Sequence, residues 1–168
     1  SNLIDQQLDC VIRVGQVKDE YLIAKSLGIC RLWSVVSPSY IQSFGVPEQL
    51  EGLHQHYAVE YLVEKNQKQM SELVFFDQQV KLPYMIVAED TESYLAAGLA
   101  GLGIIQIPEF DAQFYLKQGA FVQVFKEKKS VELPINFLCP DRKFRPQYLQ
   151  NFINWFTEIL QNTIEISE

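Results

Sequence analysis

The chain has 168 residues, 48% apolar and 21% charged, an ordinary globular composition that can close a core without disulfides or metal. Its 14 basic and 21 acidic residues leave a net charge of −7, which argues against a direct grip on a nucleic-acid backbone, because that requires clustered Lys and Arg. Its three cysteines, Cys10, Cys30 and Cys139, are odd in number and lack CxxC spacing, so they point to reduced, buried thiols of a cytoplasmic protein and away from a disulfide framework or a zinc site.

In chain order, Leu3–Leu8 reads as the end of a helix whose start lies upstream, because no capping residue precedes it. Cys10–Val14 is a short β run stopped by Gly15, and Leu32–Val36 is a second. Ser37 then supplies an N-cap and Pro38 the first position of a short helix ending at Gly45, followed by a helical turn from Pro47 to Leu50. His56–Val63, Met70–Phe76 and Lys81–Ala88 are strand-like. Polar turns at Lys65–Gln67 and Asp77–Gln79 separate them, and the three together predict an antiparallel insertion. Met85–Ala88, a helix over Glu92–Ala100 and Gly103–Ile107 predict a βαβ unit with parallel strands. A helix over Phe110–Lys117 and strands Phe121–Phe125 and Ile135–Leu138 follow. Leu149, Phe152, Ile153, Phe156, Ile159 and Leu160 then form the apolar face of a final helix that must dock on a sheet. No apolar run is long enough to span a bilayer.

Alternating strands and helices predict an α/β fold, whose ligands bind beyond the carboxyl ends of strands and near helix starts. Three such places are Val14–Gly15, Ser37–Pro38 and Glu89–Thr91. Glu89, Asp90 and Glu92 read first as helix-capping carboxylates and second as ligand contacts or an acid–base pair. Arg13, inside an apolar strand, is either a ligand contact or an exposed or paired charge. Gly98, Gly101 and Gly103 stand at the wrong end of their helix for a phosphate loop, so close packing and termination explain them better. His54 and His56 have no third ligand at a useful spacing and read as surface residues. No nucleophile has an evident base, and no metal or cofactor is implied. The chain is not expected to be an enzyme.

Asp9-Cys10-Val11-Ile12-Arg13-Val14-Gly15 resembles a "D-x-x-I-R-x-G" strand, and Leu22-Ile23-Ala24-Lys25-Ser26-Leu27-Gly28 the "L-x-A-x-x-L-G" that follows it. Val35-Val36-Ser37-Pro38-Ser39-Tyr40 with Gly45-Val46-Pro47 is similar to "A-S-P-x-Y … G-x-P". Ala96–Ile104 followed by Ile107-Pro108 resembles "A-x-x-G-x-G-I-x-x-x-P". In this order the segments resemble the effector-binding domain of LysR-type transcriptional regulators. Where that family often has Asn, the turn near Asp141 departs from the pattern.

The resemblance implies a two-lobe fold like that of type 2 periplasmic binding proteins, with residues 1–35 and 136–165 in lobe I and 36–135 in lobe II. It implies a small-molecule effector in the crevice, with Arg13, Val14, Gly15, Ser37, Glu89, Asp90, Thr91, Pro108 and Phe110 as contacts. Ser37 and Asp90 are expected to face that one crevice. An anionic group on the effector, if there is one, is expected nearer Ser37 and Arg13. About forty to fifty residues of lobe I are expected upstream of Leu3, which leaves that lobe incomplete and an apolar face of it uncovered. DNA binding would belong to an N-terminal winged helix-turn-helix outside this chain, in a homo-oligomer, commonly a tetramer, with no membrane contact. A free solute-binding protein of the same fold is the alternative.

Overall fold

A computed structural model describes residues 11–15, 22–62, 71–140 and 147–165. Its elements in chain order begin with β1 (Val11–Val14), β2 (Leu22–Val36), α1 (Pro38–Phe44) and a 3-10 segment, Leu50–Gln55. The middle of the chain forms β3 (Ala58–Tyr61), β4 (Ser71–Val74), β5 (Gln79–Leu82), β6 (Tyr84–Ala88), α2 (Thr91–Leu99) and β7 (Ile105–Pro108). The last elements are α3 (Glu109–Lys117), β8 (Val122–Val124), β9 (Glu132–Pro140) and α4 (Gln147–Glu165). The expected helix end at Leu3–Leu8 and turn at Lys65–Gln67 lie outside the described residues. The chain divides into two compact units, 1–30 with 132–168, and 31–131, with one division falling inside β2. That strand is longer than the apolar run Leu32–Val36 suggests: it begins at Leu22, and its mixed first half buries Leu27 and Cys30.

In the first unit β1 runs antiparallel to β9, with Arg13 opposite Asn136 and Val14 opposite Ile135. The Gly15 N–H closes the ladder onto the Pro134 carbonyl at 2.9 Å. Phe137 and Leu138 are adjacent and both buried, so both faces of β9 are covered. Helix α4 buries Ile153 completely and rests Phe152 on Phe137, ring centroids 6.4 Å apart. A neighbouring stripe of the helix, Tyr148, Phe152, Trp155 and Ile159, remains exposed.

In the second unit the registers fix the lateral order. β3 is parallel to β6, with Tyr61 opposite Ala88. Ala58 bridges Ile104 in parallel, through Val59 N–H to the Ile104 carbonyl at 3.0 Å and Ile104 N–H to the Tyr57 carbonyl at 2.8 Å. β2 runs antiparallel to β7 and to β8. The order is therefore β6-β3-β7-β2-β8, with β2 alone reversed. Strands β6 and β7 of the expected βαβ unit are parallel, but β3 lies between them. The expected antiparallel insertion needs correction. Pro83, which cannot donate to a ladder, separates β5 from β6; only β4 and β5 pair antiparallel, while β3 and β6 belong to the main parallel sheet.

Alternation along these strands splits the core in two. Val36, Ala58 and Ile104 pack under Tyr40, Leu50, Leu53 and the β4–β5 hairpin. Val35, Val59 and Ile105 pack under α2 and α3 with Ala97, Ala112 and Phe121. Two glycines permit this closeness. A Cβ on Gly103 would lie 2.5 Å from the Ala58 carbonyl carbon, and one on Gly101, at φ +79, 2.5 Å from the Ser39 Oγ. These glycines end α2 and let it abut α1 and β3, as the sequence suggested.

Candidate functional site

Three parallel strands of the second unit end side by side, at Tyr61, Ala88 and Pro108. Each of the last two leads straight into a helix: Ala88 through Asp90 into α2, and Pro108 directly into α3. This edge gathers Glu89, Asp90, Thr91, Pro108 and Phe110 of the expected contacts.

Asp90 is the N-cap of α2. Its Oδ1 accepts the Ser93 N–H at 2.7 Å and its Oδ2 the Ser93 hydroxyl at 2.9 Å. Those hydrogen bonds hold its carboxyl below the ordinary aspartate range. The capping role is thus real, and it engages the Ser93 N–H, one of the donors an anion could otherwise take. At α3, Glu109 and Asp111 occupy the first turn. The Glu109 carboxylate is buried and faces the Arg31 guanidinium at 4.0 Å. Burial pushes the Asp111 carboxyl up.

The edge also holds two aromatic residues that the sequence analysis did not single out, Tyr61 at the end of β3 and Tyr94 on α2. The Tyr61 ring meets Tyr94 edge-on, centroids 5.2 Å apart at 72°, and its hydroxyl lies 3.4 Å from the Thr91 hydroxyl. Tyr94 reaches across from α2 and accepts the Gln106 N–H at 3.0 Å. Burial pushes its hydroxyl up to about 12, so it stays protonated. Strands β3 and β7, hydrogen-bonded at Val59 and Ile104, are therefore parted at Gln106 by a tyrosine hydroxyl. The Gln106 side chain clamps the other layer. Its Oε1 accepts the Val74 N–H at 2.8 Å, and its Nε2 donates to the Val74 carbonyl and the Ser34 Oγ, both at 3.0 Å.

Ser37 does not join this edge. β2 is antiparallel to β7, so Val35 stands opposite Ile105, at the start of β7, and Ser37 lies at the far end of the sheet from Thr91 and Pro108. Its hydroxyl caps α1 by accepting the Tyr40 N–H at 3.2 Å, and the residue is buried. The expectation that Ser37 and Asp90 share one crevice is corrected accordingly. His56 also departs from its surface reading. It is buried, with Nδ1 2.9 Å from the Tyr40 hydroxyl, which also accepts the Tyr57 N–H at 3.1 Å. Burial, and His54 beside it, pull the His56 ring below the ordinary histidine range. Arg13, Val14 and Gly15 lie in the other unit, at the end of β1. Among the described residues no group of three or more His, Cys, Asp or Glu could hold a metal ion, and no helix is long and apolar enough to cross a membrane.

A doubly covered, mostly parallel sheet whose strand ends open beside two helix starts is the ligand-binding architecture of periplasmic-binding-protein-like domains. The chain belongs to the LysR substrate binding domain family, which it matches over residues 1–161. It is 28% identical over 167 residues to the uncharacterized HTH-type transcriptional regulator YhjC of Escherichia coli, covering 98% of this chain and 56% of that protein. The chain thus spans about half the length of the curated relatives it matches. Among solved structures, the regulatory domain of CrgA from Neisseria meningitidis superposes with a TM-score of 0.78 at 23% identity, over 94% of this chain and 78% of that one. The full-length virulence activator AphB of Vibrio cholerae does so with a TM-score of 0.69 at 26% identity, over 92% and 53%. The chain is an effector-binding domain of the LysR type, and its relatives are transcriptional regulators.

Proposed function

We propose that the second unit takes a small-molecule effector at the edge formed by Tyr61, Glu89–Thr91, Pro108 and Phe110. The observation that carries this reading is the convergence of three parallel strand ends and two helix starts there, in a chain of the LysR substrate-binding family. Arg13, Val14 and Gly15 enter as further contacts on the family resemblance alone. Effector binding would bias a homo-oligomeric cytoplasmic regulator between states that differ in DNA binding, with the DNA held by an N-terminal helix-turn-helix outside this chain. The names of the relatives, HTH-type transcriptional regulators, support that part of the reading.

The test is a metabolite screen by thermal shift on the full-length regulator, repeated with Thr91→Lys, which places a long charged chain on the exposed start of α2. A compound that raises Tm by several degrees in the parent and by none in the variant supports the assignment. An undiminished shift in the variant would remove this edge from the effector site.

A further inference from the structure

Tyr61 is a large aromatic side chain at the last position of β3 that stays 38% exposed. It is not loose: the Tyr94 ring packs against it at a steep angle and the Thr91 hydroxyl lies 3.4 Å from its own. Held against the first turn of α2, the ring remains exposed at the edge, and an aromatic face attracts cations through its quadrupole.

The charges around it agree. Glu60 precedes it on the strand, and its charge is felt at Tyr94. Glu89, Asp90 and Glu92 flank the start of α2, and Asp111 lies in the first turn of α3. Arg31 is a basic residue beside it among those described, and it faces Glu109. The start of α2 is capped by the Asp90 carboxylate, and the start of α3, which no side chain caps, carries Glu109 and Asp111 in its first turn. A carboxylate arriving at this edge would meet repulsion from these acids, whereas an ammonium group would meet acids and a ring face.

We infer that Tyr61 is a ligand-contacting, specificity-determining residue of this edge, and that the effector presents an organic cation to it rather than a carboxylate. This rests on the reading of the edge as the effector surface. It reverses, for the second unit, the anionic preference that the sequence suggested near Ser37.

Three probes of one shape separate the charge classes: benzylammonium, benzyl alcohol and benzoate, each titrated into the isotope-labelled chain while the amide signals of Tyr61, Thr91 and Phe110 are followed by NMR. Benzylammonium is expected to move these signals and to saturate at a concentration at least about fivefold lower than benzoate. Tyr61→Phe, which keeps the ring, should preserve that preference, and Tyr61→Leu should reduce it about fivefold. If benzoate moves the same signals as readily as benzylammonium, the cation inference is overturned while the edge stands as a binding surface. A preference that survives intact in Tyr61→Leu overturns the role given to Tyr61. If no probe moves any of the three signals, the edge reading itself fails, and the inference with it.

Discussion

Replacing Gly103 by Ala tests whether the β3–β7 junction leaves no room for a side chain. The added Cβ would stand 2.5 Å from the Ala58 carbonyl carbon and 2.7 Å from both the Ala58 oxygen and the Val59 nitrogen. Ordinary contact begins at 3.4 Å, so the strands must part by about 0.9 Å, the difference of 3.4 and 2.5. The neighbours are backbone and cannot rotate away. The Val59–Ile104 and Ile104–Tyr57 hydrogen bonds, now 3.0 and 2.8 Å, would stretch out of range. Two lost backbone bonds at about 1 kcal/mol each, with overpacking of about 1–3 kcal/mol, give a destabilisation of about 3–5 kcal/mol. Gly119→Ala is the control: φ is +69 there but nothing lies within 4 Å of an added Cβ, so only backbone strain of about 1–2 kcal/mol applies. Urea unfolding followed by circular dichroism measures both. With a slope of about 2 kcal/mol per molar, Gly103→Ala should lower the midpoint by about 2 M, and the control by about 0.5–1 M. Equal shifts in the two variants would refute the packing argument.

Other substitutions test the caps and the buried histidine. Asp90→Ala should lower Tm and fray the start of α2, while Asp90→Ser restores part of the loss; amide exchange at Ser93 reports both. Because the folded Asp90 carboxyl is depressed, its contribution is present above the unfolded carboxylate value and is lost as pH falls through the lower folded value, a dependence that Asp90→Asn should remove. The depressed His56 ring works over a higher window: the unfolded ring takes its proton near about pH 6.5, before the folded one does. Stability should therefore decline as pH drops from about 6.5 until the folded ring also protonates. His56→Gln should flatten that slope in urea titrations, and an unchanged slope would place its origin elsewhere.

What the sequence makes legible is local chemistry. Ser37 before Pro38 and Asp90 before Thr91 declare helix starts because a cap acts over three residues, and both act as caps here. The glycines after α2 declare close approach because an invariant geometric need, no room for Cβ, leaves a glycine-rich trace. Long-range pairing is less visible. Nothing near β6 or β7 announces that β3 lies between them, and His56 is buried by a tyrosine sixteen residues away. Ser37 shows the limit for the site. Counting strand ends as equivalent assumes that all strands run alike, and the single reversed strand, β2, carries its helix start to the other end of the sheet. Tyr61 shows the converse: nothing in the residues around it marks it as an exposed ring at a strand end, a property that only the fold reveals.

The parting of β3 and β7 is the step that turns a closed sheet into an edge with a ring in it, and one hydroxyl sustains it. The Gln106 N–H points to Tyr94 rather than to a strand neighbour, so Tyr94→Phe leaves that donor with no partner at an unchanged ring position. An unpaired buried N–H costs about 1–3 kcal/mol. The chain can lose that stability with the strands still apart, or draw β3 onto β7 and satisfy Gln106 from the backbone. The first outcome predicts fast exchange of the Gln106 amide and a Tyr61 ring still held against position 94. The second predicts slow exchange, with the Tyr61 and Thr91 signals displaced. Hydrogen exchange and NMR distinguish them. If the strands truly need a side chain between them, exchange at Gln106 should quicken by about tenfold or more, in step with the lost free energy; retained protection with an unmoved Tyr61 would show that the hydroxyl holds nothing apart.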